Sequence, residues 1–363
     1  MRAHSNERDS RLDKARGLAI LLVILVHTNY YSTVLNPSGT SNFINSVSQL
    51  GIYGVEVFFV LSGYLIESLY GKEKNFNSRS YFQRRIARIY PLWFLFCVFQ
   101  LPLFFILNLG GIPIAKSLLP QSTIFQDVSV IFLLSILFLL FLNPALWNSI
   151  IPGGWSIQSE VAHYVLFALF RQLSLKITIV TLCVFNVLAI IAEKVTLATS
   201  NIVFDIYRTI DLSTTLSFFY IGVCIHRIYS DKSFLRCNYF LLVVFLVTTA
   251  MAPLPFGNSF NAMIIVLMTA LFVGFSKSEL YWLGAMGRVS YSMYFSHIYI
   301  LILLNKGIKI IFPRERFEII YQAPILFLIL LTCTLVFGIA LGNLSMRYFE
   351  SYFIKRNRKT TGM

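Results

Sequence analysis

Arg16 and His27 stand eleven positions apart, and the ten residues between them are all Gly, Ala, Leu, Ile or Val. Eleven helical residues make about three turns, so the two side chains share a face, with the imidazole about 16 Å beyond the guanidinium. In so apolar a run an ionisable group is costly unless it faces protein or water, and it usually marks a pathway or a reactive site. An imidazole there could act as a general base or carry a group as a nucleophile. The bland alternative is a neutral histidine hydrogen-bonded to a neighbouring helix.

Four other stretches carry polar chemistry. Gly54 to Gly63 reads GVEVFFVLSG and places Glu56 inside an apolar segment, where it should be buried and paired, while Ser62 and Gly63 permit close helix contact. Arg84, Arg85 and Arg88 precede Pro91, which the spacing takes as the opening of a span. They form either a headgroup-facing cluster or a phosphate clamp, since guanidinium forks match phosphate oxygens. The segment GGWSIQSEVAHY turns at Gly153 and Gly154 and delivers Trp155 and Ser156 at the outer interface. Glu160 follows and shares a helical face with His163. Glu160 is either functional or a structural carboxylate paired with an arginine or histidine. Finally Ser290, Tyr294 and His297 recur at i, i+4 and i+7, a polar stripe that either lines a cavity or joins two helices. His4 and His226 lie near expected cytoplasmic ends and need no catalytic role.

The elements that must position these groups are membrane helices. Hydrophobic residues make up 57% of the 363, charged residues only 13%, and the mean hydropathy is +0.71. Apolar stretches near the roughly 20 residues a span requires recur from Gly17 to Met346. Continuous runs such as Val128–Leu142 and Ile298–Leu304 lack the alternation of an outer-membrane barrel. The fold expected is therefore all-α, a polytopic bundle of about ten transmembrane helices. The expected spans are Ala15–Asn36, Leu50–Tyr70, Tyr90–Leu109, Ser159–Phe170 with its flanks, Ile177–Ile191, Leu212–Tyr229, Tyr239–Ala252, Ala262–Phe275, Val289–Asn305 and Gln322–Met346. Val128–Leu142 is short and followed by Pro144 and Pro152-Gly153-Gly154, so it is expected as a re-entrant or interfacial helix. That arrangement leaves most of the 30 Lys and Arg residues on the cytoplasmic side, with both termini there, whereas a crossing at Val128–Leu142 would nearly even the split. The exception is the external loop Lys306–Gln322, with Lys306, Lys309, Arg314 and Arg316, which could touch an anionic ligand or lipid. The expected organisation is a cytoplasmic segment 1–14, one membrane-embedded domain 15–346 and a basic cytoplasmic tail 347–363.

Several other classes find no support, while a transporter or flippase for a glycan or glycolipid stays open as the alternative. The hydrophilic N-terminus is followed by no small-residue cleavage site, which favours an uncleaved first span over a signal peptide. The five cysteines are scattered without metal or disulfide spacing, and no metal is expected. Neither a Walker loop nor a GxGxxG after a strand is present. Basic cytoplasmic loops explain the net charge of +14 better than nucleic acid does. A transporter or flippase would also use polar groups in spans, but no internal repeat is evident. A non-catalytic scaffold would not need Arg16, His27 and Glu160 buried together.

In their order along the chain, Arg16 with His27, GVEVFFVLSGYLI, RRIARIYP, WSIQSE and GRVSYSMYFSH resemble the acyltransferase-3 family, the membrane O-acyltransferases of bacterial surface glycans. The resemblance runs from Arg11 to about Phe353. It implies a roughly ten-span helical fold in the bacterial inner membrane, an acyl-CoA donor, usually acetyl-CoA, approached from the cytoplasm, and transfer to a carbohydrate or glycolipid hydroxyl at the outer face. Lipopolysaccharide, exopolysaccharide or peptidoglycan are acceptors of that kind, and other polysaccharide-biosynthesis proteins are partners of that kind. Position by position, Arg16 and His27 match the family's signature pair, Glu160 the acid of its WS-x-x-x-E segment, and Arg84, Arg85 and Arg88 its basic stretch. Glu56 stands where many members have aspartate. The hydrolase-like domain fused to some members is not expected after the short basic tail. On this reading the arginines hold the donor's phosphates, and His27 is general base or acyl carrier. Glu160 orients its imidazole as the carboxylate does in a serine-protease triad, and Glu56, Trp155, Ser156, Tyr294 and His297 line the substrate cavity.

Overall fold

A computed structural model describes residues 10–36, 41–71, 73, 76–106, 130, 132–139, 153–171, 173–198, 203–254, 257–275 and 280–360. The protein is an all-helical, polytopic membrane protein. The helices are α1 Ser10–Leu35, α2 Asn42–Gln49, α3 Gly54–Tyr70, α4 Ser78–Ile106, α5 Gly154–Phe170, α6 Leu175–Ala198, α7 Val203–Ser230, α8 Lys232–Met251, α9 Ser259–Phe275, α10 Tyr281–Arg288, α11 Ser290–Ile311, α12 Ala323–Ser345 and α13 Ser351–Thr360. A two-residue antiparallel pairing, Pro253–Leu254 with Gly257–Asn258, closes the α8–α9 turn. Among the described residues, five helical stretches are long and apolar enough to cross a bilayer: Ser10–Leu35, Asn42–Tyr70, Ser233–Met251, Ser290–Ile311 and Pro324–Arg356. Leu175–Ile191 and Ser259–Ala270 are shorter apolar helices.

The chain divides into two compact units. In the first, residues 1–61 and 260–347, α1 is the central helix, and its neighbours reach it through glycines. A Cβ at Gly17 would overlap the Leu283 carbonyl of α10, and one at Gly287 would overlap the Asp13 carbonyl. Gly51 and Gly54 likewise face the Leu22 and Ala19 carbonyls of α1. Small residues let backbones meet in this way where lipid offers no hydrophobic drive to association, because dispersion between closely fitted helices then does the work. Leu35, Leu301, Ile308, Tyr321, Leu326 and Leu330 form an apolar cluster at the far end of α1.

The second unit, residues 62–259 and 348–363, joins α4 to α8 and receives the last turns of α3. Gly63 lets α3 press against α7, where a Cβ would meet the Phe219 carbonyl. Asn186 of α6 donates to Thr249 of α8 at 3.1 Å and accepts from Ser217 of α7 at 3.1 Å, so three helices share one buried polar link.

Several boundaries differ from the sequence expectations. Pro91 lies inside α4, which begins at Ser78 and therefore carries the arginine cluster on the same helix as the proline. Proline is tolerated there because a membrane helix can satisfy the one freed carbonyl through its neighbours. The helix expected from Ser159 starts at Gly154, behind Gly153 with φ 79°, and the basic tail is helical, packing on α4. Within Val128–Leu142, the described residues 132–136 are helical and Phe138 is left-handed, φ 56°, which breaks the helix. Trp93 of α4 holds this piece, donating to the Ser135 carbonyl at 2.8 Å and stacking on Phe138.

The glycine contacts make a sharp prediction. Gly17→Ala and Gly287→Ala should each destabilise the protein by about 1–3 kcal/mol or more, since backbone cannot yield to a methyl group. Gly284→Ala and Gly307→Ala, where the nearest atoms lie at 4.0 Å or beyond, should be neutral or slightly stabilising. Thermal melts of the purified variants in detergent would decide, and equal melting of all four would overturn the role given to the α1–α10 contact.

Candidate functional site

The first unit brings His27 and His297 together. His27, on α1, and His297, on α11, meet edge to face with ring centroids 5.0 Å apart and planes at 70°. Tyr294, one turn before His297, has its ring 5.8 Å from the second imidazole and 6.3 Å from Phe58. His297 is 1% exposed, while His27 is half-buried and so the more accessible of the two.

Their hydrogen bonds set the tautomers. His27 Nδ1 lies 2.8 Å from the Val23 carbonyl, and His297 Nδ1 lies 2.7 Å from the Tyr294 carbonyl and 3.2 Å from that of Met293. A carbonyl only accepts, so each Nδ1 carries the proton and donates it to its own helix, leaving a lone pair on each Nε2. His297 Nε2 is buried without a hydrogen-bond partner among the described residues. Lone pairs on unprotonated imidazole nitrogens are what a proton acceptor or nucleophile requires.

Arg16 is not a bare cation. Its guanidinium donates to Asp13 at 3.3 Å, one turn earlier on α1, and Asp13 is buried. An anion reaching Arg16 therefore meets a guanidinium already shared with a carboxylate. Glu56 is buried as expected, but among the described residues the pairing expected for it is not seen: Oε2 has no hydrogen-bond partner there. Tyr294 and Ser290 are buried, the Ser290 hydroxyl donating to the Gly287 carbonyl at 3.0 Å.

The second unit holds Glu160 and the α4 arginines. Glu160 accepts hydrogen bonds from the Ser62 hydroxyl at 2.9 Å and from the Tyr164 phenol, both on Oε1. Arg85 lies over two rings, 5.5 Å from the centre of Tyr70 and 5.6 Å from that of Tyr164. Arg84 donates to Ser80 Oγ and lies 5.6 Å from the Tyr70 ring, while Arg88 is exposed. Arg171, at the end of α5, donates to the Tyr70 and Glu73 carbonyls and stacks on Phe76 at 3.9 Å. Three guanidinium groups thus gather around the end of α3. Trp155 and Ser156 are buried, with the serine hydroxyl donating to the Gly153 carbonyl at 3.1 Å, and His163 Nε2 lies 3.1 Å from the Thr215 hydroxyl.

Of the residues singled out from the sequence, His27, His297, Tyr294, Arg16 and Glu56 fall in the first unit, and Glu160, Arg84, Arg85, Arg88, Trp155 and Ser156 in the second. Asp13, Tyr70, Tyr164 and Arg171 escaped the sequence reading as site groups. Asp13 had a signal, its i, i+3 spacing from Arg16, and Tyr164 had its i, i+4 spacing from Glu160.

The tautomers can be checked directly. Nitrogen-15 spectra of histidine-labelled protein should contain two imidazoles with protonated Nδ1 and bare Nε2, one lost in His27→Ala and the other in His297→Ala. A protonated Nε2 on His27 would remove its proton-accepting role.

A family profile described as an acyltransferase domain, acyltransferase-3, matches residues 9–343. A protein of Bacillus subtilis (strain 168), YrhL, named provisionally as a peptidoglycan O-acetyltransferase, is 39% identical over 88 residues, which are 23% of this chain and 12% of that protein. Protein 2 in the picA locus of Rhizobium radiobacter is 26% identical over 195 residues, 51% of this chain and 95% of that protein. The chain thus spans only a small part of the Bacillus protein's length. No solved structure matches it. With the profile covering nearly the whole sequence, from before Arg16 to beyond His297, the chain belongs to the acyltransferase-3 family.

Proposed function

We propose that the protein is a membrane O-acyltransferase that moves an acyl group, acetyl in the simplest case, from acyl-CoA to a hydroxyl of a carbohydrate or glycolipid. The observation that carries the reading is the half-buried His27, with Nδ1 committed to Val23 and Nε2 bare, within a chain of this family. His27 Nε2 takes the proton of the acceptor hydroxyl as its oxygen attacks the thioester carbonyl carbon. The C–O bond forms, the C–S bond breaks, and the proton passes on to the departing thiolate. The partial match to a protein named for peptidoglycan O-acetylation favours a cell-surface glycan as acceptor.

The arginines suit the donor's phosphates. Arg16 begins the apolar run of α1 that ends at His27, so a flexible pantetheine arm anchored near Arg16 has about 16 Å to cover, well within its length. Arg84, Arg85 and Arg88, one helical turn from first to last, offer the forked donors that phosphate oxygens fit. The charge distribution supports a cytoplasmic position for both chain ends in the bacterial inner membrane, with 15–346 as the membrane-embedded domain. The acceptor would then be met at the other face.

Membranes containing the protein, given radiolabelled acetyl-CoA and an acceptor glycan, should place label in the sugar fraction. His27→Ala should lower the rate by at least about a hundredfold at equal protein level, the usual scale of a lost general base. Arg16→Ala should chiefly raise the KM for acyl-CoA. Transfer at the wild-type rate by the histidine variant would defeat the mechanism.

A further inference from the structure

The Glu160 carboxylate is held through one oxygen alone. Oε1 accepts both the Ser62 hydroxyl, at 2.9 Å, and the Tyr164 phenol, whereas Oε2 has no partner among the described residues. Glu160 is partly exposed, so Oε2 can be reached. A carboxylate has lone pairs for about four donors, and here half of that capacity stays open.

The two donors are themselves fixed. Ser62 precedes Gly63, whose missing side chain lets α3 lie against the Phe219 carbonyl of α7, so the serine's backbone has little room to move. Tyr164 is held from two sides: its ring lies 5.6 Å from the Arg85 guanidinium, and its carbonyl accepts the Tyr81 hydroxyl at 3.1 Å. Tyr81 is fully buried. Among the described residues Glu160 is held by hydroxyls alone and has no cationic partner. A site tied down by neutral hydroxyls keeps its carboxylate available to a further donor, which an ion pair would occupy.

We infer that Ser62 and Tyr164 are positioning residues that hold Glu160 by Oε1 so that Oε2 receives a hydroxyl of one of the two substrates. This rests on the acyl-transfer reading above. Both substrates offer such a group: the acceptor sugar carries hydroxyls beside the one that reacts, and the pantetheine arm of the donor carries one. The competing chemistry is a nucleophilic Ser62, because a hydroxyl beside a carboxylate that a third group orients is how such nucleophiles are activated. The second donor on Oε1 argues against it. An oxygen already bonded to a phenol is a weak proton acceptor, and the unengaged lone pairs are those of Oε2.

Steady-state kinetics of purified Ser62→Ala, Tyr164→Phe, Ser62→Thr and Glu160→Gln tests this, with donor and acceptor varied in turn. Tyr164→Phe keeps the ring under Arg85 and removes only the donor. Ser62→Ala and Tyr164→Phe should each raise one substrate's KM about tenfold to a hundredfold, the effect of a lost hydrogen bond to a charged group. Ser62→Thr, which keeps the hydroxyl, should stay close to wild type. Combining Ser62→Ala with Tyr164→Phe should cost no more than Glu160→Gln alone, because all three disable one group. A raised acceptor KM assigns Oε2 to the sugar, a raised donor KM assigns it to the pantetheine hydroxyl, and either supports the inference. Both KM values unchanged in the two variants would overturn it, as would hydroxylamine-labile label recovered on Ser62, which would make that serine an acyl carrier. Wild-type protein that moves no acyl group would instead remove the acyl-transfer reading beneath it.

Discussion

The first unit depends on how closely other backbones approach α1. An apolar helix in lipid gains little from burying more apolar surface, because the lipid is as apolar as its neighbours. Close fit has to supply the cohesion, and four glycines allow it: Gly17 and Gly287 at the α10 crossing, Gly51 and Gly54 at the entry to α3. That fit does more than hold helices together. With α10 pressed against Asp13 and Gly17, and α11 following it two residues later, His297 is delivered to the level of His27. The edge-to-face imidazole pair thus follows from backbone contacts made three turns away.

Polar groups in these helices meet a second constraint. No water competes for their hydrogen bonds, and an unpaired polar atom in an apolar medium is expensive. The recurring answer is local: His27 donates to Val23, Ser159 to Trp155, Asn238 to Phe234, Thr249 to Phe245 and Thr269 to Ile265, each four residues back on its own helix. For a serine or threonine that bond uses the only donor. An imidazole has a second nitrogen, and the same bond that satisfies Nδ1 fixes Nε2 as the bare one. The chemistry offered by His27 is therefore a consequence of how a membrane helix accommodates any polar side chain.

This explains which parts of the protein could be read from its sequence. Composition and hydropathy were enough for an all-helical membrane protein, since both reflect the solvent around the chain. The order of the motifs was enough for the family. The Arg16–His27 spacing was legible because both lie on one helix, and helical period is a local property. Partners across helices were not legible. One of the two readings of Glu160 paired it with an arginine or histidine, whereas it has two hydroxyls, because the choice depends on how α3 sits on α5, which no local pattern encodes. Pro91 misled for a related reason. It looks like a boundary to rules drawn from helices in water, whereas α4 runs through it.

The contrast between Glu160 and Glu67 shows what such a difference in partners does. Glu67, on the same helix as Ser62, is buried and forms an ion pair with Arg227 of α7. A buried carboxylate joined to a guanidinium has its charge neutralised, which suits a fixed link between α3 and α7. Glu160 has an arginine nearby, but Arg85 lies over the faces of Tyr70 and Tyr164, and only the phenol of Tyr164 reaches the carboxylate. The cation thus stays one ring away, and that separation of charge from hydrogen bonding leaves Glu160 with an open oxygen.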